Sequence, residues 1–181
     1  MVPSSTSLGR GRALANLAAA VMILLAGVLG TQYPASALPP WQDRATSWTH
    51  PAARSPQVVN LRFAAHRHFD RAVIDIVGRI PSGAAHYARR FHYDASGALV
   101  PIRGRSGLAL TLDPARAHDR TGNVYEGPRV ARPRLETLKA LAFTGDFEGT
   151  VSFGFALTHR AAYRISFLHD PQRLVIYFRH T

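Results

Sequence analysis

The chain has 181 residues, 22 basic against 11 acidic side chains, and no cysteine. Its formal charge of +11 favours anionic partners, but 21 of the basic residues are arginine, a usage that a GC-rich genome also produces, so charge alone carries modest weight. Without cysteine there is no disulfide scaffold, no thiol nucleophile and no lipid-bearing thiol, and the fold must rest on packing.

At the N-terminus, Arg10 and Arg12 precede an apolar run from Leu17 to Leu29 that ends near Ala35-Ser36-Ala37. Basic flank, short apolar core and small-residue site predict a Sec-type signal peptide over residues 1–37, cleaved near Ala37. The run falls short of the roughly 20 residues that span a bilayer, so membrane contact is expected to be transient. Export leaves 20 basic against 11 acidic residues, a charge of +9. Residues 38–56 hold Pro39, Pro40, Pro51 and Pro56 among Ser, Thr and Ala without an apolar period, the pattern of a linker. Trp41 and Trp48 are unusual in a tether and are expected to fold back on the domain that follows.

From Gln57 to Thr181 there are 125 residues, enough for one core and too few for two domains. Val59, Leu61 and Phe63 alternate with Asn60 and Arg62. Next comes Arg71-Ala72-Val73-Ile74-Asp75-Ile76, a phrase echoed near the end as Arg173-Leu174-Val175-Ile176-Tyr177-Phe178. A two-residue period puts Ala72, Ile74 and Ile76, or Leu174, Ile176 and Phe178, on a core face. Arg71, Val73 and Asp75, or Arg173, Val175 and Tyr177, then lie on a displayed face. Between the two copies, strands are expected at Ala84 to Tyr93, Leu99 to Arg103, Leu108 to Leu112, Thr137 to Phe143, Thr150 to Thr158 and Tyr163 to Leu168, with Val151, Phe153, Phe155 and Leu157 on one apolar face. Asp113-Pro114 could open a single helical turn. Phe69-Asp70 and Phe147-Glu148 open similar strands, a second echo. The reading is all-β: a single small β-sandwich of about eight to ten short strands with internal pseudo-symmetry.

Several constellations invite chemistry. His66-x-His68-x-Asp70 has ligand types at the spacing of one strand side, but Arg67 and Arg71 lie alongside and no second His pair completes a metal set. His118 and Asp119 could orient a nucleophile, yet there is no nucleophile-elbow glycine pattern and no cysteine; Asp119 more simply accepts backbone hydrogen bonds in a loop with Gly122. Asp146 and Glu148 fit a turn before a strand better than a glycosidase pair. No catalytic residue, metal or cofactor is therefore expected. The displayed face of the repeated strands offers a different chemistry in Arg71, Asp75, Arg173 and Tyr177. Guanidinium groups there could pair with peptide carboxylates or phosphates, and a tyrosine ring could lie against a sugar.

His66-x-x-Phe69-Asp70-Arg71-x-Val73-Ile74, Ala117-His118-Asp119, Tyr125-x-Gly127-Pro128, Gly145-Asp146-Phe147-Glu148-Gly149-x-Val151-x-Phe153-Gly154 and Pro171-x-Arg173-Leu174-Val175-Ile176 occur in this order. Together they resemble the AMIN-like domain of secreted and lipid-anchored actinobacterial proteins, over residues 57–181. The resemblance implies a β-sandwich related to the AMIN domain of cell-wall amidases and pilus secretins, a non-catalytic module that targets its host to peptidoglycan or the envelope. Two departures stand out: Tyr177 replaces an acidic residue usual in the phrase, and the lipobox cysteine of many relatives is missing. The expected function is a secreted, envelope-associated, non-catalytic module that binds peptidoglycan, through glycan or stem peptide, or an anionic wall polymer. The alternative is a protein–protein interaction module for another exported protein. Nucleic acid is not an expected partner, because export and the lack of a readout motif oppose it.

Overall fold

The computed structural model describes residues 38–51 and 55–181. The expected signal peptide lies outside the described residues. Leu38–Thr181 forms one compact unit. In chain order its strands are β1 (Thr46–Trp48), β2 (Gln57–Ala65), β3 (Phe69–Val77), β4 (Ser82–Tyr87), β5 (Ser106–Asp113) and β6 (His118–Asp119). They continue as β7 (Gly122–Asn123), β8 (Val130–Ala131), β9 (Leu138–Phe147), β10 (Thr150–Leu157), β11 (Tyr163–Leu168) and β12 (Arg173–Arg179). A six-stranded sheet runs β1-β4-β5-β10-β9-β8, a four-stranded sheet β11-β12-β3-β2, and β6 pairs only with β7. All named pairings are antiparallel, and the architecture is the expected all-β sandwich.

The two-residue period decides which residues meet between the sheets. Ala72, Ile74 and Ile76 of β3 and Leu174, Ile176 and Phe178 of β12 are buried in one cluster with Leu108, Leu110 and Leu112 of β5 and Val151, Phe153, Phe155 and Leu157 of β10. The two copies of the repeated phrase are hydrogen-bonded neighbours, with Val73 opposite Val175 and, to either side, Arg71 opposite Tyr177 and Asp75 opposite Arg173. The echo is thus a local pseudo-twofold inside one sheet.

Strand β10 is central and buried on both faces. Its outer side carries Gly154 and Ala156, which with Ala140 and Ala142 of β9 receive Phe91, Val100 and Ile102. A Cβ on Gly154 would come within 2.6 Å of the Phe91 ring, and one on Gly107 would meet that ring and the Phe155 carbonyl oxygen at 2.6 Å each. Small residues here are what let the segment after β4 lie flat on the sheet. That segment is the main local departure from the sequence pattern: β4 ends at Tyr87 instead of running to Tyr93, and residues 88–104 cross the outer face as irregular chain, without the strand expected at Leu99 to Arg103. Among the described residues there is no helix. The chain after Asp113 instead runs extended, Arg116 exchanging backbone hydrogen bonds with Pro56 and Val58.

The segment expected as a linker carries structure of its own. Strand β1 pairs with β4, and Gln42 exchanges two backbone hydrogen bonds with Tyr163. Both tryptophans fold back: Trp48 packs on the main core and its Nε1 donates to the Pro81 carbonyl at 2.9 Å, while Trp41 lies on the four-stranded sheet.

Candidate functional site

The outer face of the four-stranded sheet is built by register. Arg164 of β11, Tyr177 of β12, Arg71 of β3 and Ala64 of β2 form one cross-strand row, and Ser166, Val175, Val73 and Arg62 form the next. Leu168, Arg173, Asp75 and Asn60 form the third. All four predicted site residues therefore lie on this one face.

The face is less open than a displayed sheet side would be. Val73, Val175 and Tyr177 are buried, Tyr177 being 8% exposed, under Trp41 and Phe69. The cover is aromatic and cationic. The Arg164 guanidinium carbon lies 4.3 Å from the Trp41 ring centroid and 4.9 Å from that of Tyr177. Phe69 meets Tyr177 edge-on at 5.2 Å and stacks with His66 at 4.7 Å. Stacking between rings fixes a guanidinium that would otherwise lose rotamer freedom on binding, so Arg164 is presented in a preset pose. Tyr177 serves as the platform beneath it. The Nε atoms of Arg71 and Arg164 and the Ser166 hydroxyl are shielded from solvent without a hydrogen-bond partner among the described residues.

At the other end of the face Asp75 is already engaged. Arg62 donates to its two carboxylate oxygens at 2.7 and 2.6 Å, and this hydrogen bond is the main cause that raises the arginine's pKa. Arg173, opposite Asp75 in register, donates from Nε to the Pro171 carbonyl at 3.3 Å instead. The face thus divides into an end where Arg62 and Asp75 are ion-paired with Arg173 beside them, and a cationic, aromatic end at Arg71, Arg164, Tyr177 and Trp41. Sequence reasoning missed Arg164 and Trp41, which sit in other segments. The alternation of Arg164 and Ser166 with Tyr163, Ile165 and Phe167 was the available signal.

The remaining constellations resolve into separate roles. Asp70 is fully buried and accepts the backbone N–H groups of Thr137 and Leu138, each at 2.7 Å, plus a hydrogen bond with His180 Nε2 at 3.0 Å. It is a link between sheets, while His66 stacks on Phe69 at the β2–β3 turn. Among the described residues no group of three or more His, Asp or Glu converges as metal ligands would. His118 hydrogen-bonds through Nδ1 to Asp146 at 2.6 Å. Asp119 turns into its own loop, accepting from the Thr121 hydroxyl and N–H and from the Gly122 N–H, and these bonds hold its carboxyl below the usual range. Adjacent in sequence, His118 and Asp119 do not act on each other.

Fold and face together define a small all-β module whose distinctive chemistry lies on a sheet surface. The model of the AMIN-like domain matches residues 56–180, and the chain belongs to that family. Membership suggests a cell-wall-associated module with an extracellular or envelope location. No curated protein and no solved structure matches the chain.

Proposed function

We propose that this protein is a secreted, non-catalytic module that binds peptidoglycan or an anionic wall polymer through the outer face of the four-stranded sheet. The observation that supports this reading is the row Arg164, Tyr177 and Arg71 with Trp41 folded over it. The half-buried Arg71 and Arg164 guanidinium groups lie on the same face as the half-buried Trp41 ring, a pairing suited to stem-peptide carboxylates or polymer phosphates beside the apolar face of a sugar. Tyr177 supports them from beneath and is too buried to take the sugar itself. Arg173 extends the cationic surface, and Asp75 acts as a positioning group for Arg62 and not as a ligand contact. Exposed ion pairing of this kind is modest and weakens with salt.

The test is retention of the protein on purified cell walls. At low salt the protein should sediment with walls and be released as salt rises, and Arg71→Ala with Arg164→Ala should reduce retention. No retention at low salt sinks the reading. Crosslinking to one discrete exported protein while bare wall is ignored favours the alternative of a protein–protein interaction module.

A further inference from the structure

A second surface, formed by different residues, lies beside β9. Arg103, Arg132, Arg134 and Lys139 line a cleft of about 450 Å³ over a floor that includes Val100 and Ala140. An adjoining hollow of about 440 Å³ shares Arg134 and Lys139 and adds Arg105 and Thr158. Both volumes fall within the range of ligand sites. No carboxylate lines either, and among the described residues the one arginine in an ion pair with a carboxylate is Arg62. The acid nearest in sequence, Glu136, lies 3.1 Å from His180.

Backbone irregularities aim these cations. In the β9–β10 register Leu138 pairs with Leu157 and Ala140 with Ala156, which leaves Lys139 as the bulged residue. A bulge redirects a side chain that strict alternation would send to the other face. Arg134 adopts a left-handed φ of 56°, a conformation that costs a non-glycine residue energy and persists only where the surroundings impose it. Its N–H donates to the Lys139 carbonyl at 3.3 Å, which ties the two positions together. Arg132 is braced by a 2.5 Å hydrogen bond from Nη2 to the Pro101 carbonyl. Between Arg103 and Arg105, Gly104 sits so close to β10 that a Cβ would overlap the Leu157 carbonyl oxygen, which pins the segment carrying both arginines.

We propose that this cleft binds a linear phosphodiester polyanion, whose successive phosphates are taken by Arg103, Arg105, Arg132, Arg134 and Lys139. Arginine forks suit phosphate oxygens, and a row of cations suits charge repeated along a chain. No aromatic side chain lines either hollow, so the site has no stacking platform for bases and favours a polyol phosphate backbone over a nucleic acid.

The experiment is titration of the protein with soluble poly(glycerol phosphate) over a series of salt concentrations. Binding should weaken with salt. Arg134→Gly combined with Lys139→Gln should lower low-salt affinity at least about tenfold and flatten the salt slope by about 1 for each cation removed. Glycine relieves the positive φ at position 134, so the melting temperature should hold or rise, which separates impaired binding from impaired folding. Arg67→Gln with Arg120→Gln removes equal charge elsewhere and should leave affinity within about twofold. The proposal is overturned if the polymer does not bind, if the cleft variant binds like wild type, if the control loses as much, or if oligothymidylate of equal charge binds as tightly. Because the cleft variant leaves Arg71 and Arg164 in place, its loss of soluble-polymer binding reads the cleft whether or not the outer face retains the protein on walls.

Discussion

Replacing Asp70 with alanine should be among the most damaging single changes in the domain. The carboxylate is fully buried on β3, in the four-stranded sheet, and accepts the N–H groups of Thr137 and Leu138 at the start of β9, in the six-stranded sheet. It is therefore a polar link across the sandwich. Hydrogen bonds to charged groups contribute about 1.5–3 kcal/mol each, and their removal leaves buried donors unpaired. With two N–H groups orphaned and the hydrogen bond to His180 removed, Asp70→Ala should cost about 3–5 kcal/mol. At about 3 °C per kcal/mol for a domain of this size, the melting temperature should fall by about 9–15 °C. Asp70→Asn keeps one acceptor oxygen and should cost roughly half as much. Asp75→Ala removes the exposed pair with Arg62 and should cost less than about 1 kcal/mol. Urea unfolding of the three variants, with matched m-values, is the assay. A loss under about 1 kcal/mol for Asp70→Ala, or equal losses at positions 70 and 75, would refute the assignment of the cross-sheet link.

Burial raises the Tyr163 hydroxyl to about 12 and also raises that of Tyr125. An unfolded tyrosine loses its proton near 10, so between about pH 10 and 12 the unfolded state binds fewer protons. Stability should then fall by about 1.4 kcal/mol per pH unit per tyrosine, and Tyr163→Phe should flatten this limb; identical limbs in both proteins would count against it. Gly107→Ala puts a methyl against the Phe155 and Ala88 carbonyl oxygens and the Phe91 ring. Thermal unfolding should show a cost of about 1–3 kcal/mol, and an unchanged melting temperature would mean that the covering segment yields.

Strands β3, β5, β10 and β12 were legible in the sequence because each turns large apolar residues to the opposite sheet at every second position. Strand β10, buried on both faces, still alternates Val151, Phe153, Phe155 and Leu157 with the small Ser152, Gly154 and Ala156. Residues 88–104 were not, since Phe91, Val100 and Ile102 are spaced by an irregular path over the sheet and carry no period. The complementary signal was present on the other partner: Ala140, Ala142, Gly154 and Ala156 are small where outward-facing polar residues would be usual. Asp70 lies in the core phase of β3, but nothing local says that its partners are N–H groups 67 and 68 residues away. The candidate face was half readable. Arg71, Asp75, Arg173 and Tyr177 share a side by alternation alone, whereas Arg164 joins them through the register of β11 on β12, and Trp41 through the return of the N-terminal segment.

The pseudo-twofold between β3 and β12 makes the one mismatch on the outer face of the repeated phrase, Asp75 against Tyr177, informative. Arg71 stands opposite Tyr177 as Arg173 stands opposite Asp75, so the inner pair of strands offers two equivalent ends. The flanking strands break the equivalence. On the Asp75 side β2 supplies Arg62, which closes a two-point ion pair with the carboxylate. On the Tyr177 side β11 supplies Arg164, which lies over the ring. A carboxylate at position 177 would stand in the row of Arg71 and Arg164 and draw both guanidinium groups into internal pairing, as Asp75 draws Arg62. A tyrosine there offers neither arginine a carboxylate, stacks under Arg164 and packs on Phe69. Tyrosine in place of a second aspartate thus leaves Arg71 and Arg164 without a carboxylate on their row, where Arg62 has Asp75.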